Sequence, residues 1–512
     1  MIESIHGPLM RTHVIFAAFV ALSGASSCGA PDARPGAEEP VLVPGGEPLW
    51  GHGFGDFTSA DLGDQHAFDV AFDPTSNSVV STIGFFKTIE IPGVNGDMPF
   101  ISGTPPAATR NILVLKYAAD DSKAVWATNI FDDLEIIRTT VDVDPAGNTI
   151  VAGGFNGTIK ISDTMNVTTS NSYDAYIAKF DPDGKARWVQ SFGALGEQYA
   201  TDVATDAEGN IVVVGMARGD AFPFGTGVVA PKATDADIFI AKFDPDGKAM
   251  WAKRVGAAGP MLWYEPTATV AVSRTDGSIV VGGSHAAALN FGLDDPLPAA
   301  GDENGFVAKL EPTGQGIWQF AFGATGYKQR VTDVAFGPKN DVFFTGWFSG
   351  SLTIGPDELK SFNDTEDLVV AKLDPNGVPV WARGYGYLGK QSGTKVLLDE
   401  QGYPLVVGSF NGALQFFGND TLVSPGPADP KTDIFAVKFT GDGKPFWARS
   451  YGDATKVLGW QTVGGAALWK DPAGKGQAIL VGLTNTSVDL GSAVPPIASQ
   501  GLEDAFMMAI TH

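Results

Sequence analysis

A recurring tryptophan constrains the fold of this chain more than any other feature. Seven tryptophans recur at intervals of 62 to 76 residues, at positions 50, 126, 188, 251, 318, 381 and 447. A glycine lies five residues after each of them except Trp126, which is followed by Phe131. A period above about 40 residues is typical of arrays in which each repeat cannot bury its own hydrophobic faces. The spacing therefore predicts seven units that pack on their neighbours.

Each interval contains four short runs that read as β-strands between turn signals. In the third unit these runs are residues 200–206, 211–215, 237–243 and the segment around Trp251. Asp244–Gly247 lies between the last two runs and is typical of a β-turn, because proline fixes φ at the first central position and glycine accepts a positive φ. Calcium binding by these aspartates is an alternative that the turn chemistry does not require. Four antiparallel strands per unit predict an all-β, seven-bladed β-propeller of four-stranded blades.

The two ends of the chain carry the unpaired halves of one unit. A tryptophan strand at about 48–54 precedes the first complete unit, and the strand at about 504–510 has no tryptophan strand after it. We expect these two strands to pair, because this closes the ring over residues 47–512 and leaves no exposed sheet edge.

Residues 1–46 differ in composition from the repeats. Val14–Leu22 is apolar but too short to span a bilayer, and small residues follow it up to Cys28, the single cysteine of the chain. Residues 1–27 therefore predict a signal peptide, with translation starting at Met10. Residues 28–46, rich in Pro, Gly, Ala and Glu, predict a flexible tether.

The residues before Cys28 resemble the lipobox of bacterial lipoproteins. This resemblance implies cleavage before Cys28 and acylation of that cysteine. Gly29 in place of aspartate implies sorting to the outer membrane, on its periplasmic or surface-facing side. The alternative is an ordinary secretory signal that happens to contain a cysteine.

Charge limits the partners of the chain. With 34 basic and 58 acidic residues, the formal net charge is -24. Such a chain repels phosphate backbones and anionic lipid surfaces, so we expect no nucleic-acid partner and membrane contact only through the N-terminal lipid.

The repeat carries a recurring motif, as in "DAYIAKFDPDGKARW" from Asp174, "DIFIAKFDPDGKAMW" from Asp237 and "DLVVAKLDPNGVPVW" from Asp367. These motifs resemble those of the SBBP family, over residues 47–512. The resemblance implies a seven-bladed β-propeller and supplies no catalytic residues. The spacing of Trp188 and its neighbours is also similar to the docking motif of quinoprotein dehydrogenases. Those enzymes have eight blades and commonly adjacent cysteines, which seven units and one cysteine do not match.

Lysine recurs in the third strand of six units, at positions 116, 179, 242, 309, 372 and 438. A ring of lysines is one way to bind an anion. We favour structural ion pairs with nearby acids such as Asp202 and Asp333.

Two connections in each unit are long and lie on the same face, called here the long-loop face. Loops around the mouth of a central channel are the usual place for a ligand. Our candidate ligand-binding residues on this face are Gln65, Gln198, Tyr199, Trp263, Tyr264, Tyr327, Gln329, Gln391, Trp460 and Gln461, with Arg330 close by. Amides and aromatic rings suit neutral polar ligands such as glycans or peptide backbone. The alternative is that each glutamine bonds the backbone of the neighbouring blade.

Catalytic and metal-binding motifs are absent: the sequence has no HExxH, no GxSxG and no histidines at ligand spacing. We therefore predict no catalytic residues, no metal and no cofactor. The sequence favours a monomeric, lipid-anchored binding or scaffold protein of the cell envelope that recognises a protein or polysaccharide. The alternatives are a hydrolase or lyase with its site at the channel mouth, or a purely structural envelope component.

Overall fold

The computed structural model describes residues 45–512 except for short segments, which are 56–63, 87, 92–98, 102–108, 121–122, 170–171, 226–227, 231–235, 257–267, 287, 299–302, 418–419, 425–431, 454–458, 472, 492 and 500–502. The predicted signal peptide, Met10, Cys28 and nearly all of the predicted tether lie outside the described residues.

The described residues form forty β-strands and one short 3₁₀ helix, Phe362–Asp364. In chain order the strands are β1 (Pro48–Phe54), β2 (Gln65–Asp73), β3 (Ser78–Phe86), β4 (Thr88–Glu90), β5 (Pro99–Ile101), β6 (Arg110–Ala118), β7 (Ala124–Asp132), β8 (Glu135–Val143), β9 (Thr149–Asn156), β10 (Thr158–Ser162), β11 (Met165–Thr168), β12 (Asp174–Phe180), β13 (Ala186–Phe192), β14 (Gln198–Thr205), β15 (Ile211–Arg218), β16 (Phe222–Pro223), β17 (Val229–Ala230), β18 (Ala236–Phe243), β19 (Ala249–Gly256) and β20 (Ala268–Val272). They continue as β21 (Ile279–His285), β22 (Asn304–Leu310), β23 (Gly316–Phe322), β24 (Gln329–Phe336), β25 (Val342–Phe348), β26 (Ser351–Ile354), β27 (Asp357–Lys360), β28 (Asp367–Leu373), β29 (Pro379–Tyr385), β30 (Gln391–Leu398), β31 (Pro404–Phe410), β32 (Ala413–Phe417), β33 (Asp420–Val423), β34 (Asp433–Phe439), β35 (Pro445–Tyr451), β36 (Gln461–Lys470), β37 (Gly476–Thr484), β38 (Ser487–Val488), β39 (Ile497–Ala498) and β40 (Asp504–Thr511).

Twenty-eight of these strands build seven antiparallel blades, which confirms the predicted seven-bladed β-propeller. The sheet orders are β2-β3-β6-β7, β8-β9-β12-β13, β14-β15-β18-β19, β20-β21-β22-β23, β24-β25-β28-β29, β30-β31-β34-β35 and β36-β37-β40-β1. The first strands of consecutive blades contact one another in sequence, and β36 contacts β2. These first strands therefore line the central axis, and buried apolar side chains fill the spaces between blades.

Closure of the ring is achieved as predicted, by pairing of β1 with β40. Trp50 lies opposite Ala509 and Phe54 lies opposite Ala505 in an antiparallel register. The N–H of Gly46 donates to the carbonyl of Thr511 at 2.7 Å. The seventh blade thus takes its outermost strand from the start of the described chain and three strands from its end.

The long connection between the second and third strands is an ordered hairpin in most blades, formed by β4–β5, β10–β11, β16–β17, β26–β27, β32–β33 and β38–β39. In the fourth blade, Leu289 and Leu297 form a single bridge at this place. Several of these hairpins contact an outermost strand. The hairpin strand β27 contacts β29 of its own blade, and β10 pairs with β7 of the preceding blade. They cover strand edges on the outside of the ring, where an unpaired edge is a liability. This corrects the expectation that both long connections surround the channel mouth.

The repeated tryptophan joins each blade to the next. The indole N–H of Trp126 donates to the carbonyl of Pro182, at 2.9 Å, in the Asp-Pro-Asp-Gly turn of the following blade. Gly184 in that turn has φ +80°, and a Cβ on it would lie 2.6 Å from the indole ring. The same indole bond recurs at Trp251, Trp318 and Trp381. The turn therefore needs glycine both for its backbone conformation and for its contact with the ring.

Within the described residues, five of the six recurring lysines form structural ion pairs, as favoured from the sequence, but with other acids than expected. Their partners are aspartates of the turn between the first and second strands: Lys116–Asp73 at 2.7 Å, Lys179–Asp144 at 2.9 Å, Lys242–Asp206 at 2.9 Å, Lys438–Asp399 at 2.8 Å, and Lys372–Asp341. Asp202 lies instead on the channel wall, and Asp333 pairs with Lys395.

Trp381 provides a test of the connection between blades. We expect Trp381→Ala to lower the free energy of unfolding by about 3–5 kcal/mol, because the buried indole leaves a cavity. Trp381→Phe should cost less, since it keeps much of the packing and loses one hydrogen bond worth about 1 kcal/mol. Equilibrium denaturation in urea measures both values. Val380→Ala, at the adjacent exposed position, is the control; a similar loss in all three variants would contradict this role for the indole.

Candidate functional site

A cavity of about 660 Å³ lies on the central axis. Its wall is formed mainly by the first half of each first strand, for example residues 66–69, 330–332 and 392–395. No lining residue comes from the last three residues of those strands, which run to the short turns. The cavity therefore belongs to the long-loop half of the channel and ends near the middle of the ring.

At its base lies a ring of polar side chains from six blades, called here the girdle. Asp69, Thr140, Asp202, Thr269 and Lys395 line the cavity, and Asp333 completes the ring through its contacts with Thr269 and Lys395. The hydroxyl of Thr140 lies 2.8 Å from Oδ2 of Asp69 and 3.2 Å from Oδ1 of Asp202. The hydroxyl of Thr269 lies 2.8 Å from Oδ2 of Asp202 and 3.3 Å from Oδ1 of Asp333. The ammonium group of Lys395 lies 3.7 Å from Oδ1 of both Asp69 and Asp333.

The seventh blade has glycine in the girdle. A Cβ on Gly465 would lie 2.6 Å from Oδ1 of Asp69, closer than any side chain can approach. Glycine thus lets the last blade come close to the first. Because the seventh blade has no side chain in the girdle, Lys395 of the sixth blade lies 3.7 Å from Asp69 of the first blade as well as from Asp333 of the fifth.

Each girdle aspartate also accepts a backbone hydrogen bond from the next blade. The N–H groups of Val141, Val270 and Val396 donate to Asp69, Asp202 and Asp333, at 3.2, 2.9 and 2.8 Å. The carboxylates therefore connect the first blade to the second, the third to the fourth and the fifth to the sixth.

A β-bulge sets the direction of these side chains. The pairing register shifts between Ala67 and Asp69 in β2, and at the corresponding place in β14, β24, β30 and β36. A bulge adds one residue to one strand and changes the direction of the side chains that follow. Here it places Asp or Lys immediately after the bulge on the axis, and the glycine in β36.

The hydroxyl groups are too few to satisfy the girdle when all its carboxylates are ionised. Two threonine hydroxyls, with one hydrogen each, make four contacts to carboxylate oxygens. Each hydroxyl hydrogen is therefore shared between two carboxylates unless a proton on one of them completes the pair. Asp202 accepts from two backbone N–H groups, whereas Asp69 and Asp333 accept from one each, so a proton is better placed on these two than on Asp202.

The electrostatics of the girdle agree with this arrangement. Burial raises the pKa of Asp333 to about 7, although the ammonium group of Lys395 opposes the shift. Burial also raises the pKa of Asp69, again opposed by Lys395 and assisted by the charge of Asp202. The girdle therefore changes its charge near neutral pH.

The upper wall of the cavity carries Arg110, Glu135, Arg138, Arg330 and Trp347. Arg330 is paired with Glu303, with 2.7 Å between Nε and Oε1, and its guanidinium lies over the ring of Trp347. Arg138 is the bulged residue of β8 and has φ +30°, an unusual conformation for a residue with a side chain. Strain of this kind often marks a functional position.

The predicted glutamines are buried and bond the loops of their own blade. Their amide groups donate to Thr88, Arg218, Ser349, Leu388 and Thr486 in the order Gln65, Gln198, Gln329, Gln391 and Gln461. The alternative of bonds to a neighbouring blade is therefore corrected: these side chains fix the loop that leaves the second strand of their own blade or, for Gln391, the loop that enters its first strand. A direct contact with a ligand stays a prediction.

The predicted aromatic residues lie outside the cavity wall where they are described. Tyr199 is buried between blades, and Tyr327 and Trp460 are half-buried on the connections that lead into first strands. Trp263 and Tyr264 lie outside the described residues. Of the residues named from the sequence on this face, Arg330 lines the cavity.

The girdle was not expected from the sequence, although a signal for it is present there. Asp69, Thr140, Asp202, Thr269, Asp333 and Lys395 each directly precede a valine in the first strand. Aspartate and threonine alternate over the first five blades at this position. The pattern is visible only when the first strands are aligned with one another.

Two further features of the described part of the chain concern metal binding and membrane crossing. No group of three His, Cys, Asp or Glu side chains there is arranged to hold a metal ion. No helix of that part has the length and apolar character needed to cross a membrane. The prediction that the protein uses no cofactor remains a prediction.

Comparison with known proteins supports a repeat protein. No family model matches the chain. It is 25% identical over 280 residues to an uncharacterized WD repeat-containing protein of Acanthamoeba polyphaga mimivirus, a match that covers 46% of this chain and 20% of the relative. This chain thus spans about a fifth of the length of that relative.

Several solved structures are similar at low identity. A europium-containing methanol dehydrogenase has 10% identity and a TM-score of 0.39, with 85% of this chain and 89% of that chain covered. A mutant NanB sialidase from Streptococcus pneumoniae has 8% identity and a TM-score of 0.38, with 90% and 94% covered. Together, the seven blades and the WD-repeat relative identify the chain as a β-propeller repeat protein.

The girdle makes stability depend on pH. In the folded state the carboxyl group of Asp333 keeps its proton up to about pH 7. In the unfolded chain the same group loses that proton near its ordinary pKa of 3.8. The folded state therefore binds more protons between these values, and the free energy of unfolding falls as pH rises, by at most about 4 kcal/mol from this group. Asp333→Asn should remove this part of the slope and leave the protein at least as stable as wild type near pH 8. Thermal unfolding at several pH values measures the difference, and an unchanged slope would contradict it.

Proposed function

We propose that this protein is a lipid-anchored binding or scaffold module of the bacterial cell envelope, similar to the SBBP family. In this proposal it recognises a protein or polysaccharide through the long-loop face, without covalent chemistry. The observation that carries the proposal is the axial cavity of about 660 Å³, with charged residues on its wall and the girdle as its floor. A cavity in the range of about 300–1,000 Å³ with a few convergent polar groups is typical of a ligand site.

The connections that lead into the first strands support recognition of a protein. Leu134, Leu195, Tyr387 and Leu388 on these connections expose between 41% and 62% of their surface. Exposed apolar groups around a polar cavity are suited to a partner that covers the mouth while part of it enters. The relative with WD repeats points in the same direction by its name.

A hydrolase or lyase is the second candidate, and the raised pKa values of Asp69 and Asp333 favour it. However, each girdle aspartate accepts a hydrogen bond from the backbone of the next blade. Groups held in this way serve the assembly of the blades, so we favour binding. Turnover of envelope glycans or peptides by the purified protein, abolished by Asp333→Asn, would instead establish the enzyme.

The binding face can be tested by filling the cavity. Thr462 lines the cavity and is half-buried, so Thr462→Trp should occupy part of the space. Thr353→Trp is the matched control, because Thr353 is exposed on the outer hairpin β26–β27. With each full-length variant as bait in envelope extract, we expect Thr462→Trp to lose partners that wild type and Thr353→Trp retain, as measured by quantitative mass spectrometry. Identical partner sets for all three would remove the cavity from recognition.

Lipid anchoring has its own test. We expect cells supplied with an alkyne-labelled fatty acid to label the wild-type protein, and Cys28→Ser to abolish both labelling and recovery in the membrane fraction. Ser26→Ala is the control, since a small residue at that position is retained. Equal labelling of wild type and Cys28→Ser would contradict acylation of this cysteine.

A further inference from the structure

The charged groups around the axial cavity have an excess of carboxylates. Six carboxylates line the cavity or pair directly with its lining: Asp69, Asp202, Asp333, Glu135, Glu303 and Glu503. Four permanently cationic side chains face them: Arg110, Arg138, Arg330 and Lys395. His66 is in contact with Glu503, and Glu135 accepts a bond from Tyr173. The whole chain, these groups included, has a formal net charge of -24, which attracts cations at long range.

Unused hydrogen-bond acceptors are concentrated at the bottom of the cavity. Lys395 is 3.7 Å from Oδ1 of Asp69, beyond hydrogen-bond distance, and no described residue donates to that oxygen. The hydroxyls of Thr201 and Thr332 donate to the carbonyls of Ala268 and Gly393, at 2.7 and 2.6 Å. Because their hydrogens are used there, these hydroxyls present lone pairs to the cavity. A ligand group that carries several N–H donors would complement this surface.

The charge of the girdle decides when such a group can enter. With Asp69 and Asp333 protonated, the charge of Asp202 is opposed by Lys395 and by Arg138, which interacts with the same carboxylates. Over the cavity and its paired groups, four ionised carboxylates then balance four cationic side chains, so a further cation is attracted only weakly. With all three girdle aspartates ionised, six carboxylates face four cations and the attraction is stronger. Cation binding is therefore favoured as the girdle releases protons.

We propose that the axial cavity receives a lysine or arginine side chain from a basic segment of a protein partner, and that its entry displaces protons from Asp69 and Asp333. This inference rests on the proposed function and specifies the ligand of the same site. The cationic group would lie over the girdle, with its N–H groups directed at Oδ1 of Asp69, which lines the cavity. Since Asp333 titrates near pH 7, affinity should rise as pH increases through neutrality.

The test uses short blocked peptides on the full-length protein in isothermal titration calorimetry at physiological salt. We expect hexalysine or hexaarginine to bind at least about tenfold more tightly at about pH 8 than at about pH 5.5, because binding is linked to proton release. Titration in two buffers of different ionisation enthalpy counts the protons released. Hexaglutamate and an alternating glycine–serine peptide should not bind, and neither should a uronic-acid oligosaccharide.

Two variants show whether the peptide enters the cavity. Asp333→Asn should weaken binding near pH 8 and reduce the proton release, and Thr462→Trp should block binding. Asp163→Asn, the same loss of charge at an exposed position, should change neither. The proposal is overturned if hexalysine binds all variants equally, since the peptide then lies on the acidic exterior. It is also overturned if hexaglutamate or the oligosaccharide binds more tightly.

The cation site and the proposed function can fail independently of each other. If Thr462→Trp loses partners from envelope extract while no basic peptide binds the wild type, the ligand class is wrong and the binding face stands. If Thr462→Trp keeps every partner while hexalysine binds in the cavity, the cation site stands and the proposed function fails. A Thr462→Trp protein that does not fold is replaced by Thr394→Trp, at another position that lines the same cavity.

Discussion

Each blade of this protein depends on its neighbours, because a twisted four-stranded sheet has two apolar faces and covers neither of them itself. The array is complete only when the last blade meets the first. Pairing of β1 with β40 accomplishes this through main-chain hydrogen bonds, with Trp50 opposite Ala509. Without it, two blades would each expose an apolar face, and β40 would expose a free edge. The cavity on the axis exists only because the ring is closed.

The contacts between blades differ with distance from the axis. On the outside, a tryptophan packs on a turn of the next blade, and its N–H donates to a backbone carbonyl there at Trp126, Trp251, Trp318 and Trp381. Near the axis, the first strands converge and the same register position is Asp, Thr, Lys or Gly. The repeated tryptophan contact on the outside places each blade similarly on the next. The different residues at the girdle position give one asymmetric cavity instead of seven equivalent sites.

The girdle combines stabilisation with a cost. Its carboxylates accept backbone hydrogen bonds across three blade boundaries, which favours the closed ring. Three carboxylates in a partly buried ring also repel one another, and Lys395 with two retained protons reduces that repulsion. A ring of threonines alone would avoid this cost. The girdle therefore joins blades and, in the proposed function, also forms the base of the binding cavity.

The sequence by itself determined the number of blades, the strands, the closure and the glycine turns, because each depends on a local period or on residue counts that any alignment of the repeats reveals. It also indicated that the lysines form ion pairs, but not their partners, since Lys116 reaches the first-to-second strand turn across the sheet. Only the tertiary structure decided that Gln198 fixes loops and that Asp69, Asp202 and Asp333 share one ring. Those aspartates are more than 60 residues apart, and closing a ring of seven blades is what brings them together.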